Sequence, residues 1–433
     1  MNIIQITPGA GKMYCGNCFR DNALVAALRK AGHDVTMIPL YLPLTLDEPD
    51  QSKGTPIFFN GVNVYLEQKS PFYRQAPRWL HRIIGSRNML NWAAKKVGKT
   101  KAEEVGDLTI SMLNGREGNQ ARELEELINW LKEQPKPDVI CLSNSLLLGL
   151  AKCLQESIGV PIVCLLQNEA PYIDNMPEDL CEEVWELMTE RGQYVDRFIA
   201  PSRYYADHMR EKLKVPANRM EVVYNGINHD GYEASPVAPN PPTIGYFTRM
   251  CRDKGLDTLI DAFIKLKQAN HIPQLKLKIG GGSGPGDEPF VERMRDRLHA
   301  KALLGEVEFH PNISRQEKQI FLKSLSVLSV PAQFGESFGF YVIEAMAAGV
   351  PVVQPHCASF PELIKLTGGG ACYNHDGPES LAGAIEQLLH DPSKAKAIGL
   401  KAREVVREKF SIQHMAEQMA DLYQELTLKT VED

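Results

Sequence analysis

The chain has 433 residues, too many for one ordinary core, so two domains of roughly 200 residues each are expected. With 43% hydrophobic and 24% charged residues, its composition is that of a folded globular protein. A net charge of −6 argues against a general nucleic-acid binder, and no stretch reaches the about 18 uninterrupted apolar residues of a spanning helix.

The N-terminus, MNIIQITPGAG, has neither a basic region nor a long apolar stretch of the signal-peptide kind. The expectation is a cytoplasmic protein, with a peripheral seat at the inner membrane face as the alternative. In the first half, short apolar strand patterns at 2–7, 35–41, 62–66, 108–112, 138–143, 162–167, 197–200 and 221–224 are interspersed with helical patterns at 21–31, 121–133 and 182–194. That alternation predicts a mostly parallel, doubly wound sheet, with ligands at the loops beyond the carboxyl ends of the strands.

The first such loop is PGAGKMYCGNCF, residues 8–19. Its glycine spacing is not that of a P-loop, and Met13 follows Gly11-Lys12. A glycine loop before a helix still allows close approach of a ligand to the backbone, which makes Gly11 a candidate contact. Cys15 and Cys18 form the one patterned pair among nine cysteines. With no second pair or histidines at ligand spacing nearby, they fit two loop thiols or a redox pair rather than a zinc site. Residues 69–101 hold nine Lys or Arg and no Asp or Glu, interleaved with Trp79, Leu80, Ile83, Ile84 and Trp92. This basic insertion fits contact with an anionic membrane, a pocket for an anionic acceptor, or a helical insertion packed on its own domain.

A proline-rich seam, EASPVAPNPP at 233–242, reads as a linker. The pattern then restarts, with strands at 243–248, 275–279, 307–310, 327–330, 350–353 and 371–373 and helices at 255–268, 289–302 and 378–390. A last helix is expected at 412–428. After the first of these strands comes Arg249-Met250-Cys251-Arg252-Asp253-Lys254-Gly255, in which Arg249 and Lys254 are suited to clamping a diphosphate, as a fork and as a point charge. An ordinary basic turn is the plain alternative. The loop KIGGGSGPG, 278–286, lets a ligand approach Gly280 closely but matches no dinucleotide fingerprint.

The stretch at 330–355, VPAQFGESFGFYVIEAMAAGVPVVQP, organises the second half. Between its two apolar strand runs lie a small-residue loop and a helix of about 340–348, stopped by Gly349 and Pro351. Glu344 sits among apolar helix neighbours and needs a donor, which the vicinal hydroxyls of a ribose would supply as well as a salt-bridge partner. Glu336 stands at the mouth of the helix, whose free N–H groups suit phosphate or sugar oxygens. It is suited to accept from hydroxyls; the plain alternative is a solvated loop residue.

Together, the Glu-x7-Glu spacing of Glu336 and Glu344 in ESFGFYVIEAMAAGVPVV, with YFTRMCRDKGLDTLIDAF, KIGGGSGPG, VVYNGIN, ALRKAGHDVTMIPL and FIAPSRYYADHM, resembles the retaining glycosyltransferases of family 4. The resemblance covers nearly the whole chain and is weakest over 42–120. It implies an α/β, GT-B fold: two doubly wound Rossmann-like domains facing a cleft, at 1–235 for the acceptor and 236–411 for the nucleotide-sugar donor, with a C-terminal helix at 412–433 crossing back to the first. It implies Glu344 on the ribose and Glu336 on the donor sugar. Backbone groups around Ser337, Phe338 and Gly339 would hold sugar and diphosphate, Arg249 and Lys254 the departing diphosphate, and Ile313 would lie near the base. The donor would be a UDP-, GDP- or ADP-sugar, and the acceptor a saccharide, lipid or small molecule, with no nucleic acid. No cofactor or metal is implied, and the chain has no Asp-x-Asp. It departs from many members in having Gln167-Asn168-Glu169 where a histidine touches the donor sugar, so Asn168 or Glu169 is the candidate replacement. A non-catalytic nucleotide-sugar binder of the same fold is the alternative, and a GT-B epimerase or phosphorylase a lesser one.

Overall fold

A computed structural model describes residues 1–9, 16–44, 46–70, 73 and 102–432. Gly11, Cys15 and positions 74–101 of the basic stretch lie outside them. The chain divides into two compact units. One comprises Met1–Pro201, Tyr205–Val223 and the segment from Met415; the other comprises Ser202–Tyr204 and Tyr224–His414.

The sheet of the first unit is built from β1 (Asn2–Thr7), β2 (Asp34–Pro39), β3 (Val139–Leu142), β4 (Ile162–Leu165), β5 (Arg197–Ala200) and β6 (Met220–Val222). They pair in parallel in the order β2-β1-β3-β4-β5-β6. β3 and β4, VICL and IVCL, are buried at every position, the composition expected of strands covered on both faces by helices. Leu24, Leu28, Leu127, Leu131 and Leu154 are among the buried helix residues of this unit. Tyr423, on the last helix Ile412–Glu432, is fully buried, its hydroxyl pushed well above its ordinary pKa by burial and by the neighbouring Cys141 of β3.

The second unit repeats the plan with β7 (Thr243–Phe247), β8 (Lys276–Gly281), β9 (Val307–Pro311), β10 (Val327–Leu328), β11 (Val352–Pro355) and β12 (Gly370–Tyr373). Their order is β12-β11-β10-β7-β8-β9, again all parallel. Chain order runs outward in opposite directions from β7 and β10, and likewise from β1 and β3. In doubly wound sheets such a reversal leaves a crevice beyond the strand ends, where ligands bind. In the second unit that crevice is bounded by the loops after Phe247 and after Leu328.

Two expected strands are helices. Residues 62–66 lie in the helix Gly61–Lys69 and 108–112 in the helix Ala102–Leu113. Alternation over five residues fits either period, and packing decides. Gly106 is buried where a Cβ would stand 2.7 Å from Leu180 Cδ1 of the helix Glu178–Arg191. Among the described residues no helix is long and apolar enough to cross a membrane.

Inside the first unit, Glu67 faces Glu123 of the helix Ala121–Glu133, both buried. Burial, then the hydrogen bond to Glu123 and its charge, push the Glu67 carboxyl from 4.5 up to about 9. The folded state therefore holds a proton that the unfolded state releases, and stability is lost as pH rises from 4.5 through about 9. Chemical denaturation across that window should show falling stability in the wild type and a flatter profile in Glu67→Gln; wild-type stability that rises across it would contradict the pairing.

Candidate active site

The loop after β7 carries Arg249 to Gly255 and the loop after β10 carries Pro331 to Gly339, one on each side of the strand-order reversal. Gly255 lets them meet: at φ +68°, its Cβ would stand 1.9 Å from the Pro331 carbonyl oxygen. Beside it, the Gln333 N–H donates to the Asp253 carbonyl at 2.9 Å. Lys254 Nζ donates to Glu336 Oε1 in a charge-assisted bond. Tyr341 OH reaches the same oxygen at 3.3 Å. The Glu336 side chain is only 12% exposed, so the pair is largely desolvated. Burial first, and then the Glu336 charge, push the Tyr341 hydroxyl and the Cys357 thiol above their ordinary pKa values, so Cys357 stays protonated at neutral pH.

Glu344 lies on the helix Phe340–Ala347 with its side chain 15% exposed. Its Oε1 accepts from Lys318 Nζ at 2.6 Å and Tyr232 OH at 2.8 Å. Burial, then the Glu344 charge, raise the Tyr232 hydroxyl far above its ordinary range and keep it a donor. Glu344 is thus a salt-bridged helix residue, with Oε2 receiving no donor among the described residues. The N–H groups of Phe338, Gly339, Phe340 and Tyr341 likewise have no acceptor among the described residues, which leaves a helix start open to an anion. Phe338 itself is buried, and its carbonyl accepts from Ser359 Oγ at 2.9 Å. The Ser337 carbonyl accepts from Ser202 Oγ at 2.6 Å.

Arg249 is held side-on by Asp287, with Nε 3.1 Å from both carboxylate oxygens and Nη2 3.0 Å from Oδ1. This bond raises the guanidinium pKa further. The glycine loop after β8 folds under Arg249. Gly281 takes φ +121°, with its Cβ position 2.0 Å from the Thr248 carbonyl oxygen, and the Met250 N–H donates to the Gly282 carbonyl at 2.8 Å. Gly280 accepts from the Thr248 N–H at 3.2 Å. Asn312 fastens the same loop, exchanging bonds with Ser283 at 3.0 and 2.8 Å, and its neighbour Ile313 packs half-buried against the core.

The crevice thus gathers Arg249, Lys254, Glu336, Ser337, Phe338, Gly339 and Gly280 on adjoining loops, with Glu344 on the helix that follows. Gly11 lies outside the described residues, and Asn168 belongs to the first unit. Glu169, next to Asn168, is buried and committed to protein: it accepts from the N–H of Ser145 at 2.9 Å, the N–H of Gln167 at 2.8 Å and Tyr205 OH at 2.9 Å. The partners Asp287, Lys318 and Tyr232 were not read from the sequence. Asp287 had a weak signal, an Asp between a glycine loop and a helical run; the other two had none.

Comparison with known proteins fits this geometry. Residues 232–405 match the family described as glycosyl transferases group 1, and residues 97–230 match glycosyltransferase family 4. A GDP-mannose-dependent alpha-(1-6)-phosphatidylinositol monomannoside mannosyltransferase of Mycobacterium tuberculosis is 25% identical over 222 residues, 48% of this chain and 56% of that protein. The chain thus spans about half the length of that relative. Sucrose-phosphate synthase from Thermosynechococcus elongatus superposes with a TM-score of 0.71 at 19% identity, over 99% of both chains. Anabaena HepE in complex with UDP does so with 0.68 at 17%, over 98% of this chain and 100% of that one. The fold is GT-B, two parallel α/β domains. The chain belongs to the family-4-like glycosyltransferases of that fold.

The Lys318–Glu344 pair yields a test independent of chemistry. Removing one member of a buried pair strands the other, so Lys318→Met should cost about 3 kcal/mol of stability. Urea unfolding should show a lower midpoint with an unchanged slope, and an unaltered midpoint would contradict the pair's structural role.

Proposed function

We propose that the chain is a retaining hexosyltransferase that moves a sugar from a nucleoside-diphospho-sugar to an acceptor hydroxyl. The observation that carries this is the grouping of Arg249, Lys254, Glu336 and an open helix start beyond the ends of β7 and β10. The family membership supports it, as do the relative named for GDP-mannose and the neighbour named in complex with UDP.

In this reading the ribose hydroxyls meet the open Oε2 edge of Glu344, and the base lies by Ile313. The diphosphate lies against the N–H groups of Ser337, Phe338 and Gly339 and over Gly280, with the open face of the Arg249 guanidinium on its oxygens. Lys254 adds a point charge, and Glu336 accepts from sugar hydroxyls. The bond from the anomeric carbon to the phosphate oxygen breaks as the acceptor oxygen attacks from the same face. The departing phosphate takes the acceptor's proton, so no protein nucleophile or base is needed. The cationic pair stabilises the charge that grows on the leaving group, the kind of preorganised electrostatics that carries most of the rate in such sites. With two side-chain cations there, transfer is metal-independent and needs no cofactor.

The donor is a UDP-, GDP- or ADP-sugar and the acceptor a saccharide, a lipid or a small molecule. The protein works in the cytoplasm, and the basic stretch at 69–101 gives it peripheral contact with an anionic membrane.

Single-turnover transfer or slow donor hydrolysis, followed by proton NMR of the anomeric centre, tests the mechanism. Glu336→Ala and Arg249→Ala should each lower turnover by about 10²–10³-fold in a chain that still folds, with a lower unfolding midpoint only for Glu336→Ala, which strands Lys254, and the product should keep the donor's configuration. Unchanged turnover in both variants would sink the assignment. Donor binding with neither transfer nor hydrolysis in the wild type would favour the non-catalytic binder.

A further inference from the structure

Arg249 is well exposed, its side chain 65% accessible. A free arginine there would spread over many rotamers, and fixing it at the moment of binding would consume side-chain entropy. It is not free. Asp287 grips its Nε edge with three contacts of 3.0–3.1 Å, and the Asp287 side chain is only 9% exposed. The carboxylate is itself fixed by a reciprocal turn: Oδ2 accepts from the Gly284 N–H at 3.0 Å, and the Asp287 N–H donates to the Gly284 carbonyl at 2.8 Å. Its own carbonyl then accepts from Phe290 and Val291, so Asp287 is locked to the start of the helix Glu288–Ala300.

The grip uses two of the five guanidinium N–H groups, Nε–H and one on Nη2. Both Nη1 hydrogens and the second on Nη2 stay open, with no acceptor among the described residues. The open edge is the one that matches two phosphate oxygens. A carboxylate this close also subtracts charge from the site, so it would weaken an anion site that worked by charge alone. Its presence makes sense where direction matters more than net charge.

We propose that Asp287 is a positioning residue for Arg249: it fixes the guanidinium with its free edge towards a diphosphate, and the glycine loop at 280–286 serves to deliver it there. This rests on the reading that Arg249 meets the diphosphate of a nucleotide donor.

The test is a double-mutant cycle read by calorimetry with UDP, GDP and ADP, each against its monophosphate, on the full chain. For whichever diphosphate the wild type binds, Asp287→Asn should weaken binding about tenfold. It should change binding of the monophosphate less than twofold. In an Arg249→Ala background the same substitution should add less than twofold, and Asp287→Glu should recover most of the loss. Equal weakening of diphosphate and monophosphate, the same loss with Arg249 absent, or no loss at all would each overturn the proposal. Because Asp287 stands at a helix start and its carboxylate also holds the Gly284 turn, thermal unfolding of each variant separates a folded, weakened site from a damaged one, and the Glu variant keeps the carboxylate if the Asn variant does not fold. A wild type that binds none of the three diphosphates would remove the reading beneath it; a wild type that binds, with an indifferent Asp287→Asn, would remove this proposal alone.

Discussion

Every feature of the crevice depends on neutralising two acids that the chain places in poor solvent. Glu336 and Glu344 are 12% and 15% exposed, and a carboxylate so far out of water costs several kcal/mol, to order of magnitude, unless it is answered. Each is answered by one lysine from a distant part of the chain, Lys254 from the loop after β7 and Lys318 from the helix Arg315–Lys323. Those bonds join the loop after β7, the loop after β10 and two helices into one wall. The wall presents cations and open N–H groups at the place where the strand order reverses. The third cation, Arg249, is answered in the opposite sense, by Asp287. A crevice in which each charge already has a partner can bind an anion without rebuilding itself, the condition for preorganised catalysis.

What was legible in the sequence follows from the range of the physics involved. The strands of β1, β7 and β11 and the helices Ala121–Glu133 and Pro378–Leu389 were readable because their apolar pattern and terminators are local. The two misread segments, VNVYL and LTISM, hold β-branched residues within nine- and twelve-residue helices, where burial against neighbours overrules propensity. At Gly106, close packing of the helix on Leu180 leaves no room for a Cβ.

The site divides in the same way. Glu336, Glu344, Arg249 and Lys254 could be singled out as candidates because their spacing and loop context lie within short stretches. Their partners were not, since Asp287 is 38 residues from Arg249 and Tyr232 is 112 residues from Glu344. The sequence offered a ribose or a salt bridge for Glu344, and the salt bridge is present in the fold. That does not compete with a nucleotide, because both donors converge on one oxygen and leave the other edge open. Glu169 shows the reverse case: a candidate replacement for a missing histidine turns out to be a buried anchor of its own loop, fully hydrogen-bonded.

The central claim is that the second unit holds a nucleoside-diphospho-sugar through Glu344 and the wall around it. Thermal unfolding without metal, against UDP, GDP, ADP and dTDP and their common sugars, tests it most directly. A ligand at about 100 times its dissociation constant adds roughly 2.7 kcal/mol, enough for a clear rise in midpoint. The account predicts that one nucleotide class raises the midpoint and that Glu344→Ala abolishes the rise. No response from any of them, or an undiminished response in Glu344→Ala, would contradict it.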